Sequence, residues 1–260
     1  MPVDRELDVG VKPQSVLITG GGSGIGAALA IELAGRECQV LISGRREGAL
    51  DAVAASSERI SVCAGDITDE SHRSALVQAF GRLPGPRAVF HGAGYFQTGL
   101  LDRLSSTEWR RSFATNVEAR WALSCECGPL LVGGRILFIG SDAGATPRPG
   151  AAAYSVAQAA SETLRRALQA EWEHRSVSVG AFKPGLVDTD MVRGFMRLSQ
   201  EEFPARAAYE EYFDSGAVST ADTIARFAAW LLLEVSPERF VETEWDVRHP
   251  GPRTEWSEGQ

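Results

Sequence analysis

Short, largely apolar runs alternate with helical patterns along most of the chain. These runs are SVLIT (15–19), QVLIS (39–43), ISVCA (60–64), RAVFH (87–91), GRILFIG (134–140) and VSVGAF (177–182). Since apolar residues fill the runs instead of alternating with polar ones, the runs are typical of parallel strands buried on both faces. Strict strand–helix alternation predicts right-handed crossovers and a Rossmann-like, doubly wound α/β sheet between two helical layers. Because the sequence contains no internal linker or repeat, we expect one domain over residues 1–260.

The alternation ends after Gly185. Residues 188–216 mix aromatic side chains with many acids, and a helical pattern at about 220–234 follows, with Ser219 or Thr220 as its N-cap. A short strand is expected near 240–247. This last third therefore differs in organisation from the part before it.

Composition and charge exclude several classes of protein. The chain of 260 residues is 44% hydrophobic and carries a net charge of −8, which argues against disorder and disfavours nucleic acid or an anionic membrane as the main partner. No apolar run reaches the roughly 18–20 residues of a membrane span, and the first residues lack a signal-peptide core. The cysteines and histidines show no metal-ligand spacing. We expect a cytoplasmic protein without a metal site that acts on a small-molecule substrate.

A glycine-rich turn follows the first predicted strand and opens a helix. Its sequence is TGGGSGIG (19–26), with the spacing Gly-x3-Gly-x-Gly. Glycines permit a sharp turn and let backbone amides approach a pyrophosphate at the positive end of a helix. A tight turn that binds nothing is the alternative interpretation. The expected cofactor contacts here are Gly20, Gly22, Ser23, Gly24 and Ile25.

Four further motifs follow in order: Asp66 in GDIT, Asn116 in FATNV, Ser141 with Tyr154 thirteen positions later, and PGLVDT at 184–189. Together with the glycine-rich turn, they make the chain resemble the short-chain dehydrogenase/reductase family from Ser15 to about Val247. The resemblance implies a dinucleotide cofactor whose adenine end lies at Asp66 and Ile67. It also implies contacts nearer the nicotinamide from Ala93, Gly94, Pro184, Gly185, Val187 and Thr189.

The family's N-N-A-G motif reads His91-Gly92-Ala93-Gly94 here. Ala93 and Gly94 still allow the backbone to approach a cofactor closely. His91 is open to two interpretations, an additional acid or a structural replacement for asparagine, and the structural one is favoured.

The end of the second strand bears on the choice of nicotinamide cofactor. It reads Ile42-Ser43-Gly44-Arg45-Arg46, with no acid where an NAD enzyme holds the ribose 2′-hydroxyl. Arg45 suits a 2′-phosphate through charge-assisted hydrogen bonds, and Ser23 offers another donor. The alternative is that both arginines only begin a solvated helix. We expect NADP(H).

The resemblance implies carbonyl reduction in which Tyr154 donates a proton, Ser141 orients the carbonyl oxygen and Asn116 positions a water. The family's lysine, four residues after the tyrosine, is replaced by Gln158, and the resemblance implies that Tyr154 and Gln158 also contact the cofactor. Loss of a charge about 5 Å away is worth roughly 2 pKa units at an effective dielectric near 20. Without that charge, the pKa of Tyr154 should stay at about 10. The phenol that reduction needs then predominates, and the phenolate that oxidation needs is scarce. Lys183 is a candidate for the missing charge, with a solvent-facing strand-end lysine as the alternative.

Gln158 leaves other functions open. The chain could bind NADP(H) without catalysis, as a sensor or partner; it could use Tyr154 for elimination or isomerisation; or it could be an inactive copy. Retention of Ser141, Tyr154 and Asn116 together favours a reductase.

The resemblance makes 188–216 a lid over the substrate. Its aromatic residues, with Tyr95, Phe96 and the loop 142–149, indicate an apolar or aromatic carbonyl compound. The family's mode of assembly implies a homodimer or homotetramer through helices near 105–128 and 152–174.

Overall fold

A parallel sheet of seven strands organises the molecule, whose computed structural model describes residues 12–242, 244–248 and 256. The strands are β1 (Ser15–Thr19), β2 (Gln39–Gly44), β3 (Ile60–Ala64), β4 (Arg87–His91), β5 (Arg135–Ile139), β6 (Ser178–Lys183) and β7 (Glu244–Asp246). Their spatial order is β3-β2-β1-β4-β5-β6-β7, and each neighbouring pair is parallel. The predicted fold class is confirmed.

Helices connect the strands and cover both faces of the sheet. They are α1 (Gly24–Gly35), α2 (Glu47–Ala54), α3 (Glu70–Gly81), α4 (Ser106–Phe113), α5 (Ala119–Cys127), α6 (Ala152–Trp172), α7 (Asp190–Met196), α8 (Arg206–Asp214), α9 (Ala221–Leu233) and α10 (Pro237–Glu242). A π-helical turn, Ala114–Glu118, joins α4 to α5. Ser105 caps α4, and Thr220, one of the two predicted caps, starts α9.

The alternating direction of side chains along a strand divides the core into two layers. In β1, Val16 and Ile18 pack with α1 and α9, whereas Leu17 faces the layer formed by α3, α5 and α6. All three side chains are fully buried. The continuous apolar run of β1 thus fills both layers at once.

The strand order places a crevice at one edge of the sheet. From β1 the chain proceeds outward to β2 and β3, and β4 then returns to the other side of β1. In open α/β sheets, ligands bind outside the carboxyl ends of the strands at such a reversal. The residues after β1, β4 and β5 therefore meet at one place.

The segment after β6 forms the helices α7 and α8. Phe195, Phe203 and Tyr209 from this segment pack together with Ala151, at the start of α6, in a third apolar cluster. These contacts hold 188–216 against the carboxyl edge of the sheet. The sequence pattern had indicated that this part differs from the alternating one, and the family resemblance had implied a lid over the substrate.

The predicted strand near 240–247 is wrong in its first half. Helix α10 occupies Pro237–Glu242, and β7 covers only Glu244–Asp246. Proline favours the first turn of a helix, and the buried Phe240 ring packs where a Cβ on Gly180 of β6 would otherwise stand. Packing on β6 therefore selects a helix before the last strand.

Residues 1–11 lie outside the described part of the chain, and so does the segment on which the absence of a signal peptide was predicted. Within the described residues, every helix is too short or too polar to cross a membrane.

Candidate active site

A cavity of about 850 Å³ lies at the carboxyl edge of the sheet. All of the expected cofactor contacts line it: Gly20, Gly22, Ser23, Gly24, Ile25, Arg45, Asp66, Ile67, Ala93, Gly94, Tyr154, Gln158, Pro184, Gly185, Val187 and Thr189. Ser141 lines the same cavity. The structure thus gathers residues that follow the ends of six strands, β1 to β6, and their individual roles stay predictions.

The glycine-rich turn has the shape that a dinucleotide phosphate requires. Gly20 has φ +74°, and a Cβ there would stand 2.8 Å from the Ala93 nitrogen. Helix α1 begins at Gly24, and its first turn contains no acidic residue. The free amides at this helix start face the cavity and favour an anion. These residues therefore fit a dinucleotide.

Two arginines surround the end of β2 beside this turn. Both Arg45 and Arg46 line the cavity, and Arg46 Nη2 donates a hydrogen bond of 2.9 Å to Ser23 Oγ. Burial raises the pKa of Asp66, but hydrogen bonds from Thr68 and the charge of Arg45 outweigh it and lower that pKa. The sequence predicts Arg45 as a contact of the 2′-phosphate, and in the structure Arg46 lines the same cavity.

Ser141 and Tyr154 come from different elements. Ser141 follows β5, and its Oγ accepts a hydrogen bond of 3.2 Å from the Ala143 nitrogen. Tyr154 lies in the first turn of α6, and the side chains of Ser141 and Gln158 lie near its phenol and lower its pKa. The two predicted catalytic side chains therefore meet.

Burial dominates the ionisation of Tyr154. It raises the pKa of the phenol, while the positive charge of Arg120 and the neighbouring Ser141 and Gln158 side chains lower it. Tyr209 on α8 raises the pKa a little further. The net pKa lies above the ordinary value, so Tyr154 is a protonated phenol at neutral pH.

Asn116 lies behind the cavity wall, in the π-helical turn before α5. Its Oδ1 accepts a hydrogen bond of 2.9 Å from the Tyr95 nitrogen, and its Nδ2 donates one of 2.8 Å to the Tyr95 oxygen. Asn116 is fully buried and is not one of the residues that line the cavity. Here it fixes the backbone after β4; a role in a water relay stays a prediction.

Lys183 is not positioned to replace a charge at Tyr154. Its Nζ lies 2.8 Å from Glu244 Oε2, in a smaller cavity on the far side of Gln158. The hypothesis that Lys183 compensates for the missing lysine is therefore not supported. The alternative of a solvent-facing lysine is also inexact, because the side chain is only 23% exposed.

His91 is a structural residue in this fold. Its Nε2 lies 2.9 Å from Ser124 Oγ on α5, and the ring is 1% exposed. Burial, with a smaller contribution from the charge of Arg120, holds the pKa of His91 well below its usual value. The imidazole is neutral and lies outside the cavity lining, as the structural interpretation of the sequence predicted.

Arg120 is the site residue that the sequence analysis missed. It lies in the first turn of α5, is 3% exposed and lines the cavity with Tyr154. Its spacing was the available signal, because Arg120 lies four residues after Asn116 on a helix that borders the site. Burying an arginine in a helix turn carries a desolvation cost that hydrogen bonds or a nearby negative charge must offset.

Aromatic rings enclose the remaining side of Tyr154. The Phe96 ring centroid lies 4.9 Å from that of Tyr154 and 4.8 Å from that of Phe195. Tyr209 packs on Phe195, and the guanidinium of Arg148 lies 4.7 Å from the Tyr209 ring centroid. The expected lining by Phe96 and by the loop 142–149 is present.

A family model described as "short chain dehydrogenase" matches residues 14–198. The chain belongs to the short-chain dehydrogenase family. The 3-oxoacyl-(acyl-carrier-protein) reductase FabG of Pseudomonas aeruginosa is 32% identical over 227 residues, which cover 83% of this chain and 88% of that protein.

Two solved structures share the fold. The KRED1-Pglu enzyme superimposes with a TM-score of 0.82 at 23% identity, covering 89% of this chain and 99% of that one. A putative NAD(P)-dependent gluconate 5-dehydrogenase from Beutenbergia cavernae, with bound NADP, gives a TM-score of 0.78 at 25% identity. Coverage is 90% of this chain and 94% of that one. The comparisons support an oxidoreductase of this family with a nicotinamide dinucleotide cofactor.

Proposed function

We propose that this short-chain dehydrogenase is an NADPH-dependent reductase that acts on the carbonyl, enone or imine of a small apolar or aromatic substrate. The observation that carries the proposal is the meeting of Tyr154 and Ser141 in the cavity that the glycine-rich turn also lines. When bound, NADPH supplies the hydride that reduces the substrate carbon. The chain itself supplies position and a proton.

Tyr154 is the proton donor in this proposal. Ser141 donates a hydrogen bond to the substrate oxygen and keeps it beside the phenol. As the oxygen gains negative charge, the Tyr154 O–H bond breaks and the proton forms the hydroxyl of the product. The phenolate then takes a proton from solvent. Because burial raises the pKa of Tyr154, the donor form is fully populated at neutral pH.

Gln158 takes the position of the family's lysine in this proposal. It lies one helical turn after Tyr154 on the same face of α6 and is 5% exposed. Its amide can bind ribose hydroxyls but brings no charge. Oxidation, which needs the phenolate as a base, is therefore expected to be the slower direction.

A preference for NADPH follows from the charges at the end of β2. Arg45 and Arg46 lie beside Ser23, where a 2′-phosphate would find two guanidinium groups and a hydroxyl. The structure of the putative NAD(P)-dependent gluconate 5-dehydrogenase contains bound NADP at low occupancy, so a protein of this fold accepts that cofactor.

The aromatic enclosure of Tyr154 supports an apolar substrate. Phe96, Phe195 and Tyr209 offer ring faces and edges to a ligand held at the phenol. Arg148 is a charged group beside this enclosure, and its guanidinium lies 4.7 Å from the Tyr209 ring centroid.

Consumption of NADPH against a panel of aromatic ketones, enones and imines tests the proposal. We expect turnover with NADPH, with kcat falling by about 10²–10⁴ in Tyr154→Phe. Calorimetry should show that the same variant still binds NADPH. Full turnover in Tyr154→Phe would contradict the assignment of the donor.

Two other functions correspond to other outcomes of this experiment. Tight NADPH binding without turnover of any compound would favour a silent NADP(H)-binding sensor. Product formation without loss of NADPH absorbance would favour elimination or isomerisation.

We also infer a homodimer or homotetramer formed through α4–α5 and α6. Trp121 on α5 is 54% exposed and Val156 on α6 is 43% exposed, which is unusual for large apolar side chains on helix faces. Light scattering of the wild type and of a Trp121→Glu variant tests this assembly. A monomeric wild type would contradict it.

A further inference from the structure

The guanidinium of Arg120 is a buried cation beside the active site. Arg120 is 3% exposed, and in the described part of the chain its hydrogen-bond acceptors are all uncharged. Nη1 donates to the Ile139 oxygen at 3.2 Å and to Ser161 Oγ at 2.9 Å, and Nη2 donates to the Ala93 oxygen at 3.4 Å. A buried charge in such surroundings needs a counter-charge at some stage of its function.

These contacts fix the charge beside the helix that carries Tyr154. Ser161 lies seven residues after Tyr154 and three after Gln158, so the three side chains share one face of α6. Ile139 ends β5, two residues before Ser141. The guanidinium therefore rests between the two elements that carry the predicted catalytic pair.

One donor of the guanidinium is left over. Arg120 Nε is buried and makes no hydrogen bond with the residues that the structure describes. Arg120 also lines the cavity that contains the Tyr154 phenol. A buried, unpaired N–H on a cation is a strong attraction for an anion that forms nearby.

We propose that Arg120 on α5 supplies the positive charge that stabilises the Tyr154 phenolate, in place of a lysine at position 158. This inference rests on the proposed function, because it concerns the group that donates the proton there. Arg120 acts through Tyr154 and is a positioning residue. In this proposal the positive charge lies on α5 and not on α6, and Gln158 supplies only an uncharged amide for the ribose hydroxyls.

The electrostatics of the pair agree with this arrangement. The charge of Arg120 is the largest factor that opposes burial and lowers the pKa of Tyr154. Burial lowers the pKa of Arg120, whereas negative charge on Tyr154 raises it, so the guanidinium keeps its proton while Tyr154 ionises. Arg120 is therefore still cationic at neutral pH.

Other titratable groups around the pair do not replace this charge. Tyr209 on α8 raises the pKa of Tyr154, and His91 on β4 is kept neutral by burial and by Arg120. Lys183 on β6 is paired with Glu244. Arg148, from the loop before α6, is stacked on Tyr209.

NMR titration of tyrosine labelled at Cζ tests the proposal without cofactor or substrate. The chain has four tyrosines, and comparison with Tyr154→Phe identifies the Tyr154 signal. A charge about 5–8 Å from a phenol at an effective dielectric near 20 changes its pKa by about 2. We expect Arg120→Gln and Arg120→Met to raise the pKa of Tyr154 by about that amount, and Arg120→Lys to restore it.

Arg165→Met is the matched control. Arg165 is a buried arginine on the same helix as Tyr154, but it is paired with Glu162 and donates to the Val179 oxygen. Its loss should leave the pKa of Tyr154 unchanged. An equal shift in this control, or no shift in the folded Arg120 variants, would overturn the proposal.

A second measurement uses only the wild-type Arg120. Ionisation of Tyr154 should shift the guanidinium ¹⁵Nε signal of Arg120 at the same pH, and Tyr154→Phe should abolish that shift. If the neutral Arg120 variants fail to fold, the wild type still decides. An Arg120 ¹⁵Nε chemical shift that does not change when Tyr154 ionises would overturn the proposal. Full NADPH turnover in Tyr154→Phe would instead contradict the proposed function. If the Tyr154 and Arg120 signals of the wild type still change at the same pH, the electrostatic pair stands.

Discussion

Arg120 Nη1 donates a hydrogen bond of 2.9 Å to Ser161 Oγ, two helical turns beyond Tyr154 on the same face of α6. This bond ties the buried charge of α5 to the helix that carries the proposed proton donor. Gln158 lies between the two. A buried positive charge thus lies along the helix face that carries the uncharged Gln158.

Gln158→Lys should change the two reaction directions unequally. A lysine here adds charge beside Tyr154, which lowers its pKa and enriches the phenolate that alcohol oxidation needs. We expect kcat/KM for oxidation to rise, most at the lower end of a pH range of about 6–9, with little gain in reduction. Steady-state kinetics in both directions measure the effect.

The same substitution places a second cation near Arg120. Because like charges in a buried site repel, we expect Gln158→Lys to lower the Tm and Arg120→Gln/Gln158→Lys to recover it. Gln158→Met is the uncharged control for the kinetics. An equal gain in reduction and oxidation would contradict this electrostatic explanation.

Arg45 and Arg46 should govern the choice between NADPH and NADH. We expect Arg45→Ser and Arg46→Ser each to reduce the preference for NADPH by about 10–100-fold, the effect of losing one charge-assisted hydrogen bond. Calorimetric Kd values for both cofactors measure it. Arg59→Ser is the matched control, since Arg59 lies outside the cavity lining, near Glu37. An equal loss of NADPH and NADH affinity in Arg45→Ser would show a general rather than a 2′-phosphate contact.

His91 should make stability fall in mild acid. Burial keeps the pKa of His91 well below its usual value, so the unfolded chain takes up a proton near pH 6.5 that the folded chain rejects. The contribution is fully present above about pH 6.5. Below it the free energy of unfolding decreases by up to about 1.4 kcal/mol per pH unit.

Urea unfolding between about pH 5 and 8 measures this slope. His91→Gln should reduce this slope by the amount that corresponds to the uptake of about one proton on unfolding. Ser124→Ala keeps the histidine but removes its hydrogen bond, so it should lower stability by about 1 kcal/mol and leave the slope unchanged. The same slope in His91→Gln as in the wild type would exclude His91 as its source.

Gly150→Ala should loosen the lid. Gly150 has φ +83°, and a Cβ there would stand 3.0 Å from Pro204 Cδ and 3.3 Å from the Phe203 ring. We expect a cost of about 1–2 kcal/mol from the backbone alone, with faster proteolysis within 188–216 and a higher KM for substrate. Gly194→Ala on α7 meets nothing within 4 Å and is the control. Unchanged proteolysis in Gly150→Ala would contradict this coupling.

Local patterns in the sequence carried much of the fold. Each of β1, β3 and β4 matches its predicted run residue for residue, because buried parallel strands need continuous apolar side chains. The glycine-rich turn was equally predictable from the sequence, since the positive φ at Gly20 and the close approach of Ala93 require glycine. The strand predicted near 240–247 was wrong in its first half, because the packing of Phe240 on β6 outweighs local propensity.

The sequence by itself determined the doubly wound sheet, the glycine-rich turn and the meeting of Ser141 with Tyr154 at the sheet edge. The sheet follows from side-chain periodicity and the turn from its glycines, whereas the pairing of Ser141 with Tyr154 was implied by the family resemblance. Only the tertiary structure decided where the charges lie: Lys183 with Glu244, and Arg120 against Ser161 on another helix. Charge placement depends on how α5 and α6 cross, and residues 41 positions apart in sequence carry no local sign of that contact.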